Sequence, residues 1–273
     1  MAIAERHAPA DLALGTRAGG GLARSLGRKV GLPLGFALAA VVGWELLCRL
    51  GNISPVLLAP PSAVWQVLAT NPAILLEQAI PTTLETVVGF ALATVLGVVL
   101  GVAITVSARV REALYPHIVL FQLIPKIALA PLFVIWLGIS SESRLAYATF
   151  ISFFPVVISA SVGLATTERD ALRLCQALTA TAWQTFVMVR FPFALPHIFS
   201  GMKIAVTMAF IGIIVGEFIS AKAGLGFYIL YAGSRMETAA IFAAIFVLCV
   251  IGLMLYGAVA GAERLVRRWY RGW

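Results

Sequence analysis

Charge is scarce in this chain. Of its 273 residues 12% are Asp, Glu, Lys or Arg, against about a quarter in a soluble domain. Cysteine is scarcer still: Cys48, Cys175 and Cys249 are odd in number and far apart, which excludes a disulfide framework and a zinc site. The three histidines, His7, His117 and His197, are too dispersed to form a metal cluster. No phosphate-binding loop is present. "GLARSLGRK" at 21–29 has the wrong glycine spacing, and Arg28 separates Gly27 from Lys29. The residues therefore describe no catalyst and hold no cofactor of their own. The net charge of +8 is not gathered into a basic patch with interleaved aromatics, so nucleic acid is not the expected partner.

Hydrophobic residues are what the chain has instead, at 61%, and they place it in the membrane class. A hydrocarbon core about 30 Å thick takes about 20 apolar residues per helix. Six stretches qualify: 30–48, 86–107, 118–139, 145–165, 198–220 and 239–262. The expected fold is all-α, a polytopic membrane protein of six transmembrane helices. The first stretch is not read as a cleaved signal, because it lies well inside the chain and lacks a small-residue cleavage site.

Lys and Arg outside the spans set the orientation. Arg6, Arg17, Arg24, Arg28 and Lys29, then Arg109 and Arg111, then Arg169, Arg173 and Arg190, then Arg264, Arg267, Arg268 and Arg271 fall on one side. Only Arg49, Arg144, Lys222 and Arg235 fall on the other, so both termini are expected in the cytoplasm. The resulting organisation is a cytoplasmic tail at 1–29, a first span within 30–50 and an external or interfacial segment at 51–85. A five-span core follows at 86–262, with a cytoplasmic insertion at 166–197, and a basic tail at 263–273.

Gly89, Ala93, Gly97 and Gly101 recur every fourth residue, as do Gly257 and Gly261. Such stripes let helices approach closely, and intramolecular packing is expected over a dimer seam. Thr82 and Glu85 have capping-box spacing and mark a helix start. "APPSAVWQVLAT" at 59–70 offers Ser62 as an N-cap and Val64, Trp65, Val67 and Leu68 as the apolar face of a surface helix.

The insertion is polar and helix-favouring. Leu174, Ala177, Leu178 and Thr181 fall at i, i+3, i+4 and i+7, with Thr167 and Asp170 near the helix start. A second helical piece begins at Ala182 and carries Trp183, Phe186 and Val187, after which Pro192 and Pro196 are expected to break the helix. The bland reading is a loop covering the bundle end. However, Trp183-Gln184, Phe186, Val189, Phe191-Pro192 and Ala194-Leu195-Pro196 resemble the downstream half of the cytoplasmic "EAA" signature of bacterial ATP-binding-cassette importer permeases. "LLAPPSAVWQVL", "IPKIALAPLFVIWLGI", "FFPVVISASVGL", "IFSGMKIAVTMAFIGIIVGEF" and "AGLGFYI" extend the likeness to the nitrate, sulfonate, taurine and pyrimidine-precursor branch, from Leu57 onward.

That resemblance implies the type I ABC importer permease fold and a pathway formed with a second permease copy. It also implies a cytoplasmic ABC ATPase dimer carrying the ATP and magnesium, and a periplasmic substrate-binding protein. The coupling residues it assigns are Leu172, Arg173, Leu174, Cys175, Gln176, Ala177, Leu178, Thr179, Ala180 and Trp183. Arg173-Leu174-Cys175 replaces the usual Glu-Ala-Ala, and Thr179 takes the place of a turn glycine that suits a positive φ. The turn is expected to be reshaped or capped through the Thr179 hydroxyl, and the departure implies either a partner ATPase with a matching, altered groove or pairing with a second, distinct permease that has the standard motif. Lys126 and Glu217 stand inside spans, where charge faces a cavity or a partner. Lys126, with Gln122 one turn before it, either snorkels or lines the path of a polar or anionic solute. Glu217 is either structural or, as a partner of Lys126, part of the same candidate path. A stand-alone secondary transporter or channel explains the spans but not the insertion. "PKIALAPLF" inclines the substrate toward pyrimidine precursors and aromatics rather than nitrate.

Overall fold

The computed structural model describes the backbone of residues 18–269, with side chains over 31–268. The N-terminal tail through Arg17 and residues 270–273, Arg271 among them, lie outside the described residues. Among those described, all regular structure is helical. The chain divides into two units, Met1–Ala63 and Val64–Trp273.

The first unit is dominated by α1 (Ala18–Leu50), which is longer than the expected span; its Gly31–Leu50 portion is apolar enough to cross a membrane. Glu45 near its end accepts hydrogen bonds from the Ser62 backbone at 3.0 Å, the Ser62 hydroxyl at 2.8 Å and Arg49 Nε at 2.5 Å. Ser62 is thus held by Glu45, and α2 (Pro61–Thr70) opens one residue earlier, on a proline whose missing N–H costs nothing in a first turn.

In the second unit three long helices make the core: α3 (Pro72–Val106), α6 (Ser141–Ala165) and α9 (Phe191–Ser220). The glycine stripe of α3 supplies the close approach. A Cβ at Gly89 would lie 3.3 Å from that of Ala148, one at Gly97 2.7 Å from Val156 and one at Gly101 2.6 Å from Ala160. The partners advance in step with the stripe, so α3 and α6 run parallel. On α9 the order reverses, since Gly201 meets Ser159 while Gly212 meets Ala148, and α9 is antiparallel to both. Packing within the chain is therefore the role of the α3 stripe, as expected. Gly257 and Gly261, on α11 (Thr238–Trp269), have no neighbour within 4 Å and do not repeat it.

Three sequence expectations are corrected. The stretch 118–139 is not one straight span: α4 (Ala108–Leu123) is followed by a 3-10 turn (Lys126–Leu129) and α5 (Ala130–Leu137), bent by 93°. Pro125 is the cause, for it forces Ile124 into extended backbone and cannot donate to a helical carbonyl. Thr82 and Glu85 mark no helix start, because α3 begins ten residues before Thr82, at Pro72, and runs through both. Pro192 and Pro196 do not break the chain before the fifth span either. Pro192 sits in the first turn of α9, and Pro196 lies inside it. A π-helical turn (Phe186–Arg190), closed by the Phe191 N–H on the Phe186 carbonyl, joins α8 (Ala182–Thr185) to α9.

Candidate functional site

The insertion between α6 and α9 is a helical hairpin. Its first arm is α7 (Arg169–Ala177), with Asp170 in the first turn where an acid suits the helix dipole. The arm ends in a Schellman turn: the Ala180 N–H meets the Cys175 carbonyl at 2.9 Å and the Thr179 N–H meets the Gln176 carbonyl at 3.0 Å. Thr179 adopts φ +55°. The turn that a glycine would make is therefore kept rather than reshaped, by backbone bonds alone and without the Thr179 hydroxyl. Thr181 then opens α8 with a capping box, accepting from the Gln184 N–H at 3.2 Å while Gln184 Oε1 accepts from the Thr181 N–H at 2.8 Å. Thr181 thus belongs to the second arm and not to the face of the first.

This geometry presents a short apolar crest. Leu174, Leu178 and Trp183 are 61%, 70% and 72% exposed, and the Trp183 ring stacks on Phe186 at 5.9 Å. Arg173 is exposed and pairs with Asp170 at 3.3 Å. Leu172, Gln176, Ala180 and the edge of Trp183 line a cleft of about 700 Å³ that they share with Val102, Val106 and Arg190. Cys175 is half-buried, and Ala177 is exposed. The hairpin thus stands at the end of the bundle where α3 and α6 finish.

Lys126 lies at the elbow between α4 and α5, half-buried. Its ammonium donates to the Gln122 carbonyl at 3.3 Å and sits 5.8 Å from the centre of the Phe154 ring. Tyr147 anchors the elbow by donating to the Lys126 carbonyl at 3.3 Å. Because the helix breaks between them, Gln122 and Lys126 do not share a helix face. Glu217 is not hydrogen-bonded or ion-paired to Lys126. It is 2% exposed, and its two oxygens accept from the Thr82 hydroxyl and the Gly226 N–H, each at 2.7 Å.

Sequence reasoning missed two ion pairs that join separate helices. Arg144 of α6 grips Glu85 of α3 through Nε at 2.8 Å and Nη2 at 2.5 Å, a bidentate fork in which both side chains are largely buried. Lys203 of α9 pairs with Glu263 of α11. The usable signal was spacing, since Gln78, Thr82 and Glu85 share one face of α3 at i, i+4 and i+7.

An all-α bundle with a broken span and a helical hairpin at one end is the architecture of a multi-pass membrane protein. The sequence profile of the family described as "Binding-protein-dependent transport system inner membrane component" matches residues 93–268. The formylaminopyrimidine transport permease protein ThiX of Halalkalibacterium halodurans is 33% identical over 238 residues, which span 87% of this chain and 95% of that protein. The taurine transport system permease protein TauC of Escherichia coli is 30% identical over 90% of this chain and 92% of its own length. A chain of the MetNI methionine ABC transporter, solved in inward facing conformations, shares the fold with a TM-score of 0.63 over 72% of this chain and 99% of that one, at 19% identity. The chain belongs to the family of binding-protein-dependent transport inner membrane components and is a permease subunit of an ABC importer. A secondary transporter or channel working alone is thereby set aside.

Proposed function

We propose that this permease imports a small polar or anionic solute of the pyrimidine-precursor, aromatic or sulfonate type. The solute is delivered by a periplasmic binding protein, and the import is driven by a separate cytoplasmic ATPase dimer that holds the ATP and magnesium. The exposed crest Leu174, Leu178 and Trp183 on its two-helix mount carries this reading. Apolar side chains left bare on a stiff hairpin fit a groove on a partner, and ATP-driven movement of that partner would shift the bundle between its two facings. In this orientation the hairpin and both termini face the cytoplasm.

The test is co-purification. The tagged chain, expressed with an ABC ATPase of the same organism, should recover that ATPase. Replacing Leu178 and Trp183 together by alanine should lower recovery at least tenfold, since exposed aromatic anchors of this kind are worth about 2 kcal/mol or more. Equal recovery removes the crest from the interface. The same preparation reports whether a second copy or a distinct permease completes the pathway. Lys126, the half-buried cation of the elbow, is assigned to the solute path together with Gln122. Lys126→Ala should reduce uptake of the solute bound by the cognate binding protein by about tenfold or more while the complex assembles normally. Undiminished uptake takes Lys126 out of the path.

A further inference from the structure

After α9 the chain turns through Ala221–Gly224 into a short apolar helix, α10 (Leu225–Ser234), which has no side-chain cap of its own because its N-cap is Gly224. Its first three N–H groups are nevertheless satisfied, each by a side chain from another helix. Gly224 donates to Gln78 Oε1 at 2.8 Å, Leu225 to the Thr82 hydroxyl at 2.9 Å and Gly226 to Glu217 Oε2 at 2.7 Å. The Thr82 hydroxyl in turn donates to Glu217 Oε1 at 2.7 Å. An unpaired N–H at a buried helix start carries its full desolvation cost, so α10 can leave this cradle only by breaking the whole set. The cradle also dictates the glycines: with φ +112°, Gly224 has no room for a Cβ against Glu217, and a Cβ at Gly226 would lie 2.8 Å from that of Glu217. Next along the same face of α3, Glu85 holds Arg144, whose Nη1 reaches the last carbonyl of α9, Ser220, at 3.5 Å.

We infer that Gln78, Thr82 and Glu217 are positioning residues of the transport cycle: they pin α10 to α3 and α9, so that these three helices move as one body at the bundle end opposite the hairpin. On the function proposed above, the hairpin drives the other end of α3 and α9. A displacement there is then carried to α10 as a rigid rotation rather than absorbed at the turn 221–224.

Amide hydrogen exchange on the purified complex with its ATPase tests this, read over the segment 224–230 with 148–160 of the α3–α6 seam as the internal control. The wild type should exchange slowly in 224–230, equally with and without ATP and vanadate. Thr82→Val removes one donor and one acceptor at constant shape. It should speed exchange in 224–230 at least tenfold, more so with ATP and vanadate, while 148–160 is unchanged; Thr82→Ser should stay within twofold of wild type. If the valine variant does not accumulate, Gln78→Leu, which removes only the acceptor of the Gly224 N–H, carries the same expectation. A variant segment that exchanges like wild type overturns the inference. So does a wild-type segment that loosens with nucleotide, or a variant whose faster exchange ignores nucleotide, which would show a cap that stabilises without positioning. The nucleotide-free comparison needs no ATPase, so failure of the partner assignment is seen separately.

Discussion

Thr179 is the residue at which local chemistry and fold disagree most openly. A β-branched side chain in the left-handed region costs about 1–2 kcal/mol, yet the turn between α7 and α8 requires that backbone, with φ +55° at Thr179. The two backbone bonds of the Schellman turn and the capping box that follows determine the conformation and override the preference of the side chain. Thr179→Gly should accordingly stabilise the hairpin by about 1 kcal/mol, the relief of the left-handed strain exceeding the extra entropy that glycine gives the unfolded chain. Thermal unfolding of the detergent-solubilised chain measures this. A lower midpoint would mean that the threonine side chain contributes something its contacts do not reveal. Glu217 makes the complementary point, because a charge inside a span was legible in the sequence but its partner was not. The partner is the start of a helix nine residues on, held in common with Thr82, which lies 135 residues away, and spacing along one helix cannot display such a meeting.

At the scale of helices, lipid removes the usual drive to bury apolar surface, and close van der Waals packing of small residues takes its place. Gly101 and Gly257 look alike in the sequence, yet only Gly101 faces another helix. A leucine at position 101 would collide with Ala160 Cβ at 2.6 Å and with the Val157 carbonyl at 3.1 Å, and backbone cannot move aside as a flexible side chain can. Gly101→Leu should therefore destabilise the solubilised chain by about 3 kcal/mol, outweighing the roughly 1 kcal/mol that losing a mid-helix glycine returns. Gly257→Leu should stay within about 0.5 kcal/mol. Unfolding midpoints of the two variants side by side decide it, and equal losses would place an unseen neighbour against Gly257. Most of the span positions were readable from composition, since length and hydropathy alone define them, and the start of the second arm at Ala182 was readable from its residues. The bend at Pro125 was not. Proline marks both that elbow and the continuous start of α9, and the outcome differs because a π-helical turn leads into Pro192 and keeps the residues before it helical, whereas Pro125 forces Ile124 into extended backbone.

For the whole molecule, direction of travel follows from which helices run parallel. Partners of the glycine stripe advance together along α3 and α6, so both helices finish at the hairpin's end of the bundle. The chain that links them, α4, the elbow and α5, must return from that end to the start of α6 at Ser141. Despite its 93° bend the pair is therefore one crossing and not a loop that re-enters and leaves on the same side. The antiparallel run of α9 carries the chain outward. Lys203 with Glu263, and Gly252 against Phe210, show that α11 comes back beside it. The apolar portion of α1 is a further candidate span, and the orientation proposed above puts both termini on the hairpin's side. Single cysteines placed at Leu178 and Met236, both exposed, in a chain freed of Cys48, Cys175 and Cys249, should be labelled by an impermeant maleimide from opposite sides of inner-membrane vesicles. Reporter tags at the N and C termini should both respond with position 178. A terminus that responded with position 236 instead would mean an odd number of crossings. The helix to suspect then is α1, because the parallel pairing of α3 with α6 already fixes the crossing between them.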